Sequence, residues 1–229
     1  MEKLAIPSPG QMIIIACPTV LEEARAYLGP GVQTRTLDFG LHTNPEKLRE
    51  TLQTTIDEVG DDFGTIILGY GMCANGVIGL TANRSYLIVP RVSDCIALFL
   101  GSAEAYKKEN QKEIGTYYLT KGWIEVCDTP LDEHQRMVEK YGRKQADRMM
   151  DLMFKKYTRL GYILTGRDDQ WKYRRCAREI AQHFSLRYEE IQGSTRLIKK
   201  MAHGPHDDDF IVCPPGRAIT LDDFYRKSA

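Results

Sequence analysis

The chain has 229 residues, and its 31 lysines and arginines balance 31 aspartates and glutamates, so the formal net charge is zero. This balance argues against a nucleic-acid binder, which usually carries a basic excess or a basic stripe. No apolar run approaches the roughly 18 residues of a membrane-spanning helix, and the first residues lack the features of a signal peptide. We therefore expect a cytoplasmic protein, away from membranes, whose six cysteines are free thiols rather than disulfides.

Short apolar runs alternate with helical patterns through the first half of the chain. Four of these runs predict strands, at residues 12–16, 34–39, 65–68 and 87–90. After the first strand, Thr19 is predicted to cap a helix. After the second, Asn44 and Pro45 provide an N-cap and a first-turn proline for another helix. Strands that alternate with helices predict a parallel sheet with right-handed crossovers.

The second half repeats this alternation. Its candidate strands are residues 116–120, 162–165, 186–191 and 210–213. Apolar residues at helical spacing predict a helix over 146–157, which Gly161 ends. The predicted fold class is α/β, either two Rossmann-like lobes or one large, doubly wound, mostly parallel sheet with helices on both faces. The predicted lobes are residues 1–112, which carry the first three cysteines, and residues 113–229, packed against them.

Cys17, Cys73 and Cys95 each follow a predicted strand. In open α/β sheets, ligand sites lie outside the carboxyl ends of strands, near the point where strand order reverses. Three thiols at one edge predict a metal site, either an iron–sulfur cluster or a thiolate-bound metal such as zinc with one open position. The absence of a C-x-x-C pair argues against a zinc finger. Cys213, which follows the last predicted strand, is a further candidate for the same cleft.

A nucleophilic thiol is the alternative, with Cys73 as the candidate catalytic residue. Glycines around Cys73 would let backbone N–H groups approach an anion or a developing oxyanion. The residues predicted to contact a bound group are Gly71, Asn75, Arg91, Asp94 and Trp123. Ordinary packing competes with each assignment, because a cysteine at a strand end is often a small apolar filler. Cys127 has no assigned role, and spacing alone leaves these alternatives open.

Several segments resemble one known family. They are Ile15–Cys17, Leu68–Gly76, Pro90–Ser102 and Gly115–Trp123. These segments are similar to the family called domain of unknown function 1638, and the resemblance extends over nearly the whole chain. The family pattern places cysteines where Cys17, Cys73 and Cys95 stand. The resemblance implies a protein of anaerobic bacteria or archaea that accompanies corrinoid-dependent methyltransferases in one-carbon metabolism.

The same resemblance implies a corrinoid protein or a methyltransferase as partner. The chain lacks the D-x-H-x-x-G run of a corrinoid-binding histidine, since no glycine follows Asp132-Glu133-His134 at the needed position. Two alternatives to a metal-binding protein remain. One is a group transferase, and the other is a non-enzymatic partner or chaperone of a corrinoid protein. Whether the chain is an enzyme stays open at this point.

Overall fold

The computed structural model describes residues 12–60, 62–166 and 171–225. The strands are β1 (Met12–Ala16), β2 (Gln33–Thr36), β3 (Thr65–Gly69), β4 (Tyr86–Pro90), β5 (Thr116–Leu119), β6 (Arg159–Leu164), β7 (Arg187–Gln192) and β8 (Phe210–Cys213). The helices are α1 (Pro18–Ala24), α2 (Pro45–Val59), α3 (Cys95–Leu100), α4 (Ala103–Lys112), α5 (Lys121–Val126), α6 (Pro130–Tyr141), α7 (Arg143–Phe154), α8 (Trp171–His183), α9 (Arg196–His203) and α10 (Leu221–Tyr225). The predicted α/β class is confirmed.

The strands form two sheets. The larger has the order β2-β1-β3-β4-β8, and the smaller has the order β5-β6-β7. Strands β1 to β4 are parallel to one another, as are β5 to β7, whereas β8 pairs antiparallel with β4. The chain therefore returns from its C-terminal part to extend the first sheet.

Buried apolar side chains hold the two sheets against each other and against the helices. β1 and β3 are apolar along almost their whole length, as expected for strands covered on both faces. Tyr118, Ile163 and Ile191 of the second sheet belong to the hydrophobic core of the first. The opposite face of the second sheet packs against α7 and α8 through residues such as Phe154 and Ile180. The two sheets thus share one continuous apolar core.

Local signals predicted some helix ends correctly and others wrongly. Asn44 caps α2 by accepting a hydrogen bond from the backbone N–H of Lys47 at 3.1 Å, as predicted. The cap of α1 is Cys17 rather than Thr19, because the helix already begins at Pro18. The helix predicted to reach residue 157 ends at Phe154, and Gly161 lies inside β6, where a Cβ would meet Ile191 at 2.6 Å.

The helices described here all lie within residues 12–60, 62–166 and 171–225. None of these helices combines the length and the apolar character that a transmembrane span requires.

Candidate functional site

The strand order brings the predicted thiols to one edge of the larger sheet. In the larger sheet, β2 lies on one side of β1 and β3 lies on the other. The strand order therefore reverses between β1 and β3. Ala16 pairs with Gly69 at the ends of these two strands, which places Cys17 and Tyr70 next to each other in the crevice. Cys95 begins α3 beyond the carboxyl end of β4, the neighbour of β3. This edge is where open α/β sheets bind ligands.

Backbone hydrogen bonds join the loop after β3 to the loop after β4. The N–H groups of Met72 and Cys73 donate to the carbonyls of Val92 and Ser93, each at 2.8 Å. Gly71 makes this approach possible, because a Cβ there would lie 2.7 Å from the Val92 carbonyl oxygen. The N–H groups of Met72 and Cys73 are thus used between loops, contrary to the expectation that they would approach an anion.

Cys73 begins a left-handed turn. Cys73, Ala74 and Asn75 have φ values of 46°, 52° and 73°, which non-glycine residues adopt rarely. The Gly76 N–H donates to the Cys73 carbonyl at 3.0 Å and closes the turn. Consecutive strained residues of this kind persist only where surrounding structure holds them, and they concentrate at functional sites.

The three thiols act on one another electrostatically. Burial, and after it Asp94 and Cys17, raise the pKa of Cys73 to about 12. Burial, Cys17, Cys73 and Asp94 together raise the pKa of Cys95. Burial raises the pKa of Cys17 to about 11, although the backbone N–H groups of Val20 and Thr19 oppose the shift. All three sulfurs therefore stay protonated at neutral pH unless a positive charge enters the site.

We expect iodoacetamide to label Cys17 and Cys73 slowly at neutral pH in the metal-free chain, since only the thiolate reacts. The rate should rise about tenfold per pH unit while the thiol form dominates. It should level off only as the pH approaches the pKa of about 11 for Cys17 and about 12 for Cys73. Mass spectrometry of each peptide gives the profiles, and the urea-unfolded chain, with ordinary thiols, is the control. Fast labelling of folded Cys73 at neutral pH would contradict this expectation.

Two residues to which the sequence patterns assigned no role, Tyr70 and Cys127, accompany the thiols. Tyr70 is 5% exposed, and its hydroxyl has no hydrogen-bond partner among the described residues. Burial raises its pKa, and so do Cys17, Cys73, Cys95 and Asp38. Cys127 shares a 3.3 Å hydrogen bond with the Thr19 hydroxyl and raises the pKa of Cys17. An unpaired hydroxyl and a fourth thiol thus border the same group of sulfurs.

Most residues of this candidate site lie in a segment that matches a known protein family. The model of a family described as a protein of unknown function (DUF1638) matches residues 36–202, more than half of the chain. The chain belongs to the DUF1638 family. Neither the curated proteins nor the solved structures contain a match to it. The matched region of this DUF1638 chain includes Tyr70, Cys73, Cys95 and Cys127, while Cys17 precedes it.

The other residues predicted to contact a ligand have varied surroundings in this DUF1638 chain. Asp94 caps α3 by accepting from the Ile96 N–H at 3.0 Å, and it acts on the thiols. The Arg91 guanidinium donates to the Phe210 carbonyl at 3.2 Å, on the β8 side of β4. Trp123 packs edge-on against Phe39, with ring centroids 4.8 Å apart. Asn75 is exposed and lines a separate groove with Arg49.

Cys213 does not share the edge of the other thiols, contrary to the expectation from sequence. β8 runs antiparallel to β4, and Cys213 pairs with Leu87 near the amino end of that strand. The carboxyl end of β8 therefore points to the opposite edge of the sheet. The Cys213 thiol is buried there and donates to the Arg217 carbonyl at 3.2 Å.

His134 lies in a separate polar cluster on the second sheet. Its Nε2 donates to Asp147 at 2.7 Å, and its Nδ1 shares a 3.2 Å hydrogen bond with His183. Both ring nitrogens are therefore engaged.

The side chains that the structure describes belong to residues 12–60, 62–166 and 171–225. Within these ranges, no three histidine, cysteine, aspartate or glutamate side chains are arranged to hold a metal ion.

Proposed function

We propose that this DUF1638 chain is a metal-binding protein whose centre, an iron–sulfur cluster or another thiolate-bound metal, is held by Cys17, Cys73 and Cys95. The observation that carries the proposal is the position of these three residues beyond β1, β3 and β4, at the edge where strand order reverses, where Cys17 raises the pKa of both Cys73 and Cys95. Thiolates from separate loops suit an iron–sulfur cluster or a soft metal with an open position.

A bound metal cation would stabilise the thiolate forms of Cys17, Cys73 and Cys95. Burial is the main reason that the pKa values of the three thiols are raised, and thiolates at Cys73 and Cys95 would also be repelled by Cys17 and Asp94. A metal cation reverses this balance and deprotonates the thiols that coordinate it. Because the ligands must also draw together, metal binding should stabilise the folded chain.

Anaerobic purification of the full chain, followed by iron, sulfide and zinc analysis, tests this proposal. We expect bound metal in the natural chain and its loss in the variants Cys17→Ser, Cys73→Ser and Cys95→Ser, because each removes one thiolate. Cys176→Ser is the matched control, since Cys176 is a half-buried thiol on α8, outside the group. A folded chain without metal, or equal loss in the control, would count against the proposal.

The cellular role that we propose is corrinoid-linked one-carbon metabolism in the cytoplasm of an anaerobe. The family resemblance supports this role, and a corrinoid protein or a methyltransferase is the proposed partner. The balanced charge supports a role without nucleic acid. Pull-down from an anaerobic lysate tests the partnership. A partner retained by the metal-free Cys73→Ser variant would favour the chaperone role over a metal-dependent one.

A nucleophilic Cys73 is the second candidate function, in which the chain would be a group (methyl) transferase. The left-handed backbone at Cys73 favours it, because such strain is common at reacting residues. The raised pKa of the thiol opposes it, since a nucleophile requires thiolate. The labelling profile described above decides between the two.

A further inference from the structure

A cavity of about 380 Å³ beside the second sheet has no part in the proposed metal site. A volume of this size suits a small molecule. Met150, Phe154 and Phe184 form an apolar part of its wall, and polar side chains on or just after α6, α7 and α8 form the rest. An apolar wall with a few polar groups is the usual composition of a small-molecule site.

Three side chains that line this cavity form one hydrogen-bonded chain. An ionised carboxylate only accepts hydrogen bonds, so His134 Nε2 donates to Asp147 at 2.7 Å. The Nδ1 atom of a neutral His134 is then an acceptor, and His183 Nε2 donates to it at 3.2 Å. The lone pair of a neutral His183 therefore lies on Nδ1, which has no hydrogen-bond partner among the described residues.

This chain lets His183 accept a proton and pass the charge on. When Nδ1 of His183 gains a proton, the proton on its Nε2 can move along the 3.2 Å hydrogen bond to His134. The positive charge then lies on His134, which is 8% exposed and faces the Asp147 carboxylate. A second proton would set two charged rings against each other, with centroids 5.1 Å apart. The pair is thus built to take up one proton.

The charged groups of the wall indicate which ligand gives that proton. The carboxylates of Asp147 and Asp151 outnumber the one ammonium group, that of Lys155, so the wall favours a ligand that arrives neutral. Lys155 has no ion pair among the described residues and would stabilise the anion that remains after proton transfer. A carboxylic acid would arrive already ionised, whereas the hydroxyl of a saturated alcohol holds its proton too tightly for imidazole.

We propose that this cavity binds a small, partly apolar molecule with a weakly acidic hydroxyl on an unsaturated carbon, a phenol or an enol, and that His183 takes its proton as a general base. The O–H bond breaks, the proton moves to Nδ1, and the electron pair stays on the ligand oxygen. His134 and Asp147 are positioning residues, because they fix the tautomer of His183 and receive the charge.

The probe for this site is 4-nitrophenol, a phenol whose ionised form absorbs visible light. At a pH where the free probe is mostly protonated, we expect the full chain to bind it saturably and to raise its ionised fraction. In His183→Gln, binding should weaken about tenfold, because a hydrogen bond to a charged group is lost. His203→Gln, which changes the exposed last residue of α9, is the matched control and should bind like the natural chain.

Two further variants test the assigned roles. Lys155→Gln should lower the ionised fraction of the bound probe, whereas Lys156→Gln, at an exposed position outside the cavity wall, should not. Asp147→Asn should still bind the neutral probe but ionise less of it, because the neutralised partner no longer stabilises a charged His134. Long-range proton–nitrogen NMR of the natural chain should show Nδ1 of His183 without a proton.

Each result bears on the proposal without involving the thiols. Absence of saturable 4-nitrophenol binding, or equal binding by His183→Gln, overturns the site. Binding without a rise in the ionised fraction overturns the general-base role, and so does a His183 lone pair on Nε2. Because His183 is exposed, His183→Gln should unfold at nearly the same urea concentration as the natural chain, which shows that the variant folds.

Discussion

Replacing Arg159 by methionine should lower the free energy of unfolding by about 3 kcal/mol, because the buried Glu109 carboxylate then keeps only Lys112 as a cation. Arg159 is 1% exposed at the start of β6, the central strand of the smaller sheet. Its guanidinium lies 3.5 Å from Glu109 of α4 and 3.2 Å from Glu189 of β7, and it donates to the Thr116 hydroxyl of β5 at 2.8 Å. One side chain thus joins a helix to three strands.

Urea unfolding of the metal-free chain measures this effect. Arg175→Met is the matched control, since Arg175 is exposed and its ion pair with Glu179 lies at the surface, where such pairs contribute about 0–1 kcal/mol. Adding Glu109→Leu to Arg159→Met should recover part of the lost stability, because it removes a carboxylate that is 8% exposed and has lost its buried cation. A loss as small as that of the control would contradict this account.

Replacing Gly71 by alanine should disrupt the candidate site and lower the free energy of unfolding by about 2–4 kcal/mol, from overpacking and lost hydrogen bonds. The added Cβ would lie 2.7 Å from both the Val92 carbonyl oxygen and the Asp94 backbone nitrogen. The loops after β3 and β4 must then separate, which weakens the bonds from Met72 and Cys73 to Val92 and Ser93. The thiols of Cys73 and Cys95 would move apart with them.

Two measurements separate the local effect from general unfolding. Urea unfolding gives the stability, and iron and sulfide analysis of the anaerobically reconstituted variant gives the occupancy of the site. Gly29→Ala is the control, because a Cβ at Gly29 meets its nearest neighbours at 4.0 Å. We expect Gly71→Ala to lose bound metal even under conditions where it remains folded. Full metal content in a folded Gly71→Ala variant would show that the loop contact is not needed.

The predicted strands show which parts of the fold were readable locally. β1, β3 and β4 were predicted within one residue at each end, because a strand buried on both faces is a short continuous apolar run. β2 was predicted one residue too late at its start and three residues too late at its end, since all four of its residues are exposed and carry no apolar pattern. β6 begins at a buried arginine, a residue that no hydrophobic pattern includes.

Some residues of the candidate site were likewise predictable from the sequence, and others were not. Cys17, Cys73 and Cys95 were predictable as neighbours, because carboxyl ends of adjacent parallel strands meet at one edge. Tyr70 was hidden inside the same glycine-rich segment, since only its burial and unpaired hydroxyl distinguish it. Cys127 reaches Thr19 through the packing of α5 on α1, which joins segments 108 residues apart. Such contacts have no local signature.

The amino-acid sequence by itself determines the α/β alternation of this DUF1638 chain, its membership of the family, and the position of three cysteines just beyond strands. These features follow from hydrophobic periodicity, turn residues and motif spacing, which act over a few residues. Only the tertiary structure decides that β8 returns antiparallel and carries Cys213 to the far edge. It alone also buries Arg159 among carboxylates and leaves the Tyr70 hydroxyl unpaired. The reason is that strand direction and side-chain burial depend on which distant segments pack together.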